Sequence, residues 1–486
     1  SSMHGDNASV ASSSLPPVLR NSTTGIEGGI RMRRYIPTKT RVLLQASVIA
    51  TVAGLAAGRA EAQDYGVISD GPDTLVVTNP NGTTLQGNKS GVYARGGAVT
   101  VSNEGTIRGN GTYDGLDAAP DGGITIAQAG SSVTNSGLIS GARFGITTAY
   151  YFNAGTAQLE GRAVGTSVTN LAGGQIIGDS DDGVRLIGGG NVSNAGLIDG
   201  RTGTNADGVS MFSFAGQDTS GQTGIGTVTN QSGGTIRGNR FGIILSGGGT
   251  ISNAGSIVGP DFSGGTLTGF GGGVLIQAQA SEPGKIGSVT NSGSITGGTG
   301  VSFGGALSSG SVQNSGTITG TRLAGVDNSS SGAVTVNNLA GGTITGARGV
   351  LAREGAVTLN NAGNVFGQGS GVNTGAVVIE QAGSSIQNSG LIQGNIFGIT
   401  ANAYFNSATG LNEGRAIGTT VTNSGTIRGQ NNDGIRLQGG GTVTNSGLIE
   451  GVSGNGTDGI SMFSHVGQDV SGITAIGTVN NLATGN

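Results

Sequence analysis

VTNSGTIRG, residues 421–429, decides how this chain reads. Relatives of it recur: VSNEGTIRG from Val101, VTNSGLISG from Val133, VTNSGSITG from Val289 and VTNSGLIEG from Val443. Each sets a β-branched residue, an Asn, a Gly-containing bend and an Ile at constant offsets. The Asn serves as a marker at Asn103, Asn135, Asn170, Asn194, Asn230, Asn253, Asn291, Asn314, Asn338, Asn361, Asn388, Asn423, Asn445 and Asn481. Its intervals run from 22 to 38 residues and fall mainly at about 23 or at 35–38. Self-similarity at such a period is the signature of a solenoid.

One short unit, GIRLQGGGTVTNSGLIEG from Gly434 to Gly451, shows the internal design. Ile435 and Leu437 alternate with Arg436 and Gln438, and a Gly triplet follows. Val443 and Asn445 flank Thr444, and Ser446-Gly447 bends the chain again. Ile449 then sits between Leu448 and Glu450. These are three short period-2 segments separated by Gly-rich bends. One such coil cannot bury its aliphatic row, but stacked coils hydrogen-bond to one another at about 4.8 Å and build a core in one dimension. The expectation is an all-β chain: a single-stranded parallel β-helix of about 15 coils, three short strands each, roughly 70 Å long. A stacked aliphatic core explains how a chain with 4% aromatic residues can be stable.

The Asn belongs at a bend, because it tolerates the left-handed backbone region and bonds neighbouring amides. Stacked at one corner, these side chains form an expected ladder that satisfies otherwise bare polar groups. The ladder assignment takes in all the marker residues except Asn338 and Asn361.

Composition narrows the chemistry. The chain has 486 residues, 101 of them Gly, with 8 Pro and no Cys or Trp. Without Cys there is no disulfide framework, thiolate metal site or Cys nucleophile. The two His, His4 and His465, give a His-based triad or metal cluster almost nothing to build from. No cofactor or metal is implied. Past residue 62 the chain carries 16 Lys+Arg against 24 Asp+Glu, a net −8, which argues against nucleic acid as a partner.

Met32 opens MRRYIPTKTRVLLQASVIATVAGLAAGRAEAQ. Arg33, Arg34, Lys39 and Arg41 precede an apolar run from Val42 to Ala57, and Ala60-Glu61-Ala62 completes the layout of a secretory signal peptide cleaved between Ala62 and Gln63. The expected organisation is an upstream, disordered, non-native segment (1–31), a signal peptide (32–62), a leader or cap (63–95) and the solenoid (96–486). A block of coils is copied within the solenoid: residues 128–230 recur at about 381–481, as in DGVRLIGGGNVSNAGLIDG (182–200) against DGIRLQGGGTVTNSGLIEG (433–451). The copy stops without a capping segment, so the chain is expected to be a piece of a longer protein.

Long units alternate with short ones, and most of the extra length follows the GIxL segment. Residues 150–165, 211–226, 404–418 and 462–477 are therefore expected to project from one corner on alternate coils, about 10 Å apart. They hold Tyr150, Tyr151, Phe152, Phe212, Phe214, Tyr404, Phe405 and Phe463, together with Asp218 and Asp469 in two GQD triplets. Aromatics on loops of a rigid scaffold are the usual material of binding surfaces. The catalytic candidates are Asp182 and Asp207 with their copies Asp433 and Asp458. Each pair is 25 residues apart, so its members stack at a separation that suits a retaining glycosidase. Each also precedes a Gly, which marks a turn.

The signal peptide, the VTNSGTIxG coils and the GIxLxGGG segments together resemble the passenger region of bacterial autotransporters. That resemblance implies export through the inner membrane and display at the cell surface or outer membrane, or release. It implies an outer-membrane barrel of the same chain, outside this sequence, and a structural or adhesive rod whose partner is a host or cell-surface glycan or protein. The alternative is a carbohydrate-active β-helix, a polysaccharide lyase or glycosidase, using the four Asp.

Overall fold

The computed structural model describes residues 49–51, 64–111, 121–149, 151–153, 158–160, 163–212, 225–261, 271–402, 404–406, 411–413, 417–463 and 476–486. Among them, three parallel sheets wind around one core. The first sheet has 16 strands, the second 14 and the third 15. One coil takes them in turn: Val99–Asn103 in the first sheet, Thr106–Gly109 in the second, Gly122–Ile126 in the third, then Ser132–Asn135 back in the first. The expected parallel β-helix of about 15 coils is the fold that forms. The same sheets extend into residues 65–94, where Tyr65–Ser69, Leu75–Asn79, Thr84–Gly87 and Ser90–Ala94 are regular strands. Ile49–Thr51 pairs with Leu75–Asn79 at the edge of the first sheet; the rest of residues 1–63, with the expected cleavage site, lies outside the described residues.

Register follows the motif. Val101 pairs with Val133 and Val133 with Val168, while Ile107 pairs with Ile139 and Ile139 with Ile176. Ile124, Ile146 and Val184 of the third sheet complete these layers, and all are buried. A one-residue slip would turn the whole aliphatic column to solvent, so the pattern specifies the pairing.

Glycine acts at two places. In the short coils that end at Asn194 and Asn445 the third strand returns to the first through three glycines with positive φ, as at Gly439 (106°), Gly440 (71°) and Gly441 (149°). Only Gly adopts such a run without strain. The Gly near the start of most third-sheet strands lies against the second sheet; a Cβ on Gly300 would stand 2.5 Å from Ile318 Cγ2, and in Gly375–Ile379 the position is taken by Ala376.

The sheets differ in what faces outward. Burial alternates along Val99–Asn103, whereas every residue of Phe144–Thr148, Phe241–Leu245 and Phe397–Ala401 is buried. Leu351, Val378 and Ala324 form a second small apolar cluster with Leu323, separate from the main core; Leu351 and Val378 alternate along their strands with Val350 and Val377 of that core.

Candidate functional site

The Asn corner is one continuous hydrogen-bonded column. Asn103 Nδ2 donates to Asn135 Oδ1 at 2.7 Å, and the bond repeats through Asn170, Asn194, Asn230, Asn253, Asn291 and Asn314. It continues through Asn338, Asn361, Asn388, Asn423 and Asn445 to Asn481. Asn338 and Asn361 are thus rungs like the others. So is Asn79, which donates to Asn103 at 2.7 Å. Val77-Thr78-Asn79 carries the first half of the motif, but Pro80-Asn81-Gly82 replaces the usual bend and hides it. Each amide also bonds backbone: Asn388 Nδ2 reaches Gly390 O and Thr426 O at 3.1 Å. From Asn79 to Asn445 both amide hydrogens of each rung are engaged, and the column holds coils together.

The corner between the second and third sheets carries the four Asp. Asp182 and Asp207 occupy equivalent places on adjacent coils, since Val184 pairs with Val209. Asp182 accepts the backbone N–H of Asp207 at 2.8 Å and the hydroxyl of Ser210. Asp207 accepts from Arg240 Nε at 3.0 Å, Arg240 Nη2 at 2.5 Å and the Phe241 N–H at 3.0 Å. Both residues are almost wholly buried, at 3% and 0% exposed. Burial pushes the Asp182 carboxyl well above its ordinary range, and the charges of Asp207 and Asp181 push it the same way. Burial also raises Asp207 to about 6, with Arg240 pulling it down. In the copy, Asp433 accepts the Asp458 N–H at 2.9 Å and the Ser461 hydroxyl, while Asp458 is exposed. A retaining glycosidase needs two carboxyls facing a substrate. Here the carboxyls of Asp182 and Asp207 are enclosed by the next coil, and that of Asp433 is held in the same way.

Phe and Arg share this corner. Phe144 and Phe241 stand on the coils that flank the Asp pair. Arg143 lies 4.6 Å and Arg185 4.8 Å from the centre of the Phe144 ring, and Arg143 also pairs with Asp121 and Asp181. In the copied block Arg436 sits 3.8 Å over Phe397. Cation–π contacts and ion pairs thus alternate up the edge. Among the described residues no group of three His, Cys, Asp or Glu could hold a metal ion.

Two of the expected projecting segments contain antiparallel hairpins. Tyr151–Asn153 pairs with Gln158–Glu160, setting Tyr151 opposite Glu160 and Phe152 opposite Leu159. Tyr404–Asn406 pairs with Leu411–Glu413 in the same register, with Tyr404 opposite Glu413. Both leave the corner between the third and first sheets, at equivalent coils of the two blocks. Phe212 and Phe463 are not loop residues. Each ends a third-sheet strand, pairing with Ile187 and Gln438 respectively, because the strand carries one residue more before the chain departs. Phe463 is 50% exposed. Tyr150, Phe214, Asp218 and Asp469 lie outside the described residues.

The chain matches no protein-family model, no curated protein and no solved structure.

Proposed function

We propose that this chain is an exported, autotransporter-like rod, displayed at the cell surface or released, in which the coils are scaffold and the projecting hairpins make adhesive contact. The observation that carries the reading is the repeated hairpin: Tyr151–Asn153 with Gln158–Glu160, and Tyr404–Asn406 with Leu411–Glu413, set at the same corner in both blocks. A hairpin is more than a coil needs to close, since Gly188-Gly189-Gly190 and Gly439-Gly440-Gly441 turn the same corner with Gly alone. The partner is a host or cell-surface glycan or protein, and an outer-membrane barrel of the same chain carries the rod. The N-terminal pattern around Met32–Gln63 supports export.

The test replaces residues 150–162 and 403–416 by Gly-Gly links patterned on the short coils. Beads coated with the native chain should adhere to host or bacterial cells, and the doubly shortened chain should lose that adhesion while keeping its β-sheet circular dichroism. Undiminished adhesion would remove the role given to the hairpins. Export is checked separately: the secreted chain should begin at Gln63, and retention in the cytoplasm would overturn it.

A further inference from the structure

The outer face of the first sheet carries no charge. From Val99–Asn103 to Gly477–Asn481, the two outward positions flanking each central aliphatic residue are all Ser, Thr, Asn or Gln. In the row nearer the Asn corner, Ser and Thr prevail until four consecutive coils carry amides instead: Gln313, Asn337, Asn360 and Gln387, paired in that order. Thr422 then restores the hydroxyl row. This switch coincides with a cleft of about 440 Å³ that these five residues line together with Leu339. Asn360 Nδ2 donates to Asn337 Oδ1 at 2.8 Å. Gln313 and Gln387 make no side-chain hydrogen bond to another described residue.

The chemistry of the lining selects the ligand. A phosphate, sulfate or carboxylate calls for a cationic donor, and the cleft has none. An extended peptide calls for a free sheet edge, whereas strands Ser309–Asn314 through Thr419–Asn423 are paired on both sides. A primary amide sets a donor and an acceptor side by side, as a pair of vicinal hydroxyls does. The row repeats at about 4.8 Å, close to the length of one pyranose unit, and five coils span roughly 19 Å. Leu339, 39% exposed, offers an apolar patch for the C–H face of a sugar ring. We propose that this amide row binds a neutral, unbranched polysaccharide lying parallel to the coil axis. The site is separate from the hairpins and needs none of their residues.

The experiment uses the full chain, with calorimetry and affinity electrophoresis against cellohexaose, laminarihexaose and mannohexaose as neutral probes and hexagalacturonate as an anionic one. The native chain binds at least one neutral probe. Gln313→Thr, Asn337→Thr, Asn360→Thr and Gln387→Thr combined weaken that binding about tenfold or more, with circular dichroism unchanged, because most other coils carry Ser or Thr there. The chain lacking both hairpins binds as the native chain does, which separates this site from the adhesive role given to them. The proposal is overturned by no binding of any neutral probe, by preference for hexagalacturonate, or by full binding in the fourfold variant. It is equally overturned if the hairpin deletion abolishes binding, or if the native chain dimerises and the fourfold variant does not, since the row would then be an amide zipper between two copies.

Discussion

Asn388 Nδ2 meets Asn423 Oδ1 at 2.8 Å across 35 residues of sequence, and Asn423 meets Asn445 at 2.9 Å across 22. The rung is indifferent to the length of chain between its ends. The surplus of the longer coil leaves at another corner, in part as the hairpin Tyr404–Asn406 with Leu411–Glu413, so the Asn corner never feels it. Insertions are therefore tolerated where the third sheet returns to the first.

Truncating a central rung should be costly. Asn314→Ala leaves Asn291 Nδ2 short of one acceptor and Asn338 Oδ1 without its buried donor. The expected loss is about 2–4 kcal/mol, read from urea unfolding. Thr290→Ala, one strand away and exposed, should change stability by less than about 0.5 kcal/mol. Equal effects of the two would show that the ladder contributes nothing beyond its backbone.

Phe303, fully buried, is packed by two glycines. A Cβ on Gly310 would stand 2.7 Å from Phe303 Cδ1, and one on Gly287 3.0 Å from Phe303 Cε1. Gly310→Ala is expected to cost about 1–3 kcal/mol through overpacking. In a Phe303→Leu background the same substitution should cost clearly less, giving a coupling of about 1 kcal/mol in a double-mutant cycle. Additive effects would contradict the contact.

Asp182 is a structural carboxyl, and its burial favours the protonated form. Asp182→Asn keeps an acceptor for the Asp207 N–H and mimics the protonated form, so stability at pH 7 should change by less than about 1 kcal/mol. Asp182→Ala leaves that N–H and the Ser210 hydroxyl unpartnered and should cost about 2–4 kcal/mol. A large loss with Asn would show that the charge itself is needed.

Asp327 supplies a pH dependence of defined sign. Burial raises its carboxyl to about 6 although Arg353 donates to it at 3.0 Å. Its unfolded value is near 4. Between these values the folded state holds the extra proton, so this contribution is fully present below about pH 4 and is lost as pH rises through about 6. Two units correspond to at most about 3 kcal/mol. The stability of Asp327→Asn relative to the native chain should therefore rise from pH 4 to pH 6 and level off above it. A difference independent of pH would sink the assignment.

Much of this was legible in the chain alone. Val421, Asn423 and Ile427 announce core, rung and core because a stacked coil has one side-chain direction per position and repeats it without exception. The alternation of long and short units likewise shows which coils carry surplus chain, but not always at which corner: after Ser256–Val258 surplus falls between the second and third sheets, ahead of Gly272–Ala278. What the sequence did not disclose lies between residues far apart. Asn79 is a rung because Leu75–Asn79 registers with Val99–Asn103, although its bend residues differ. The buried outer face of the third sheet, and the enclosure of Asp207 by Arg240 and Phe241, depend on what the next coil places there. The amide row of Gln313, Asn337, Asn360 and Gln387 is scattered over 75 residues and becomes a surface only when four coils align. The sequence by itself determined the period, the strands and the inward columns, because each follows from local alternation. Only the tertiary structure decided which outward side chains become neighbours, because that depends on a register summed over coils of unequal length.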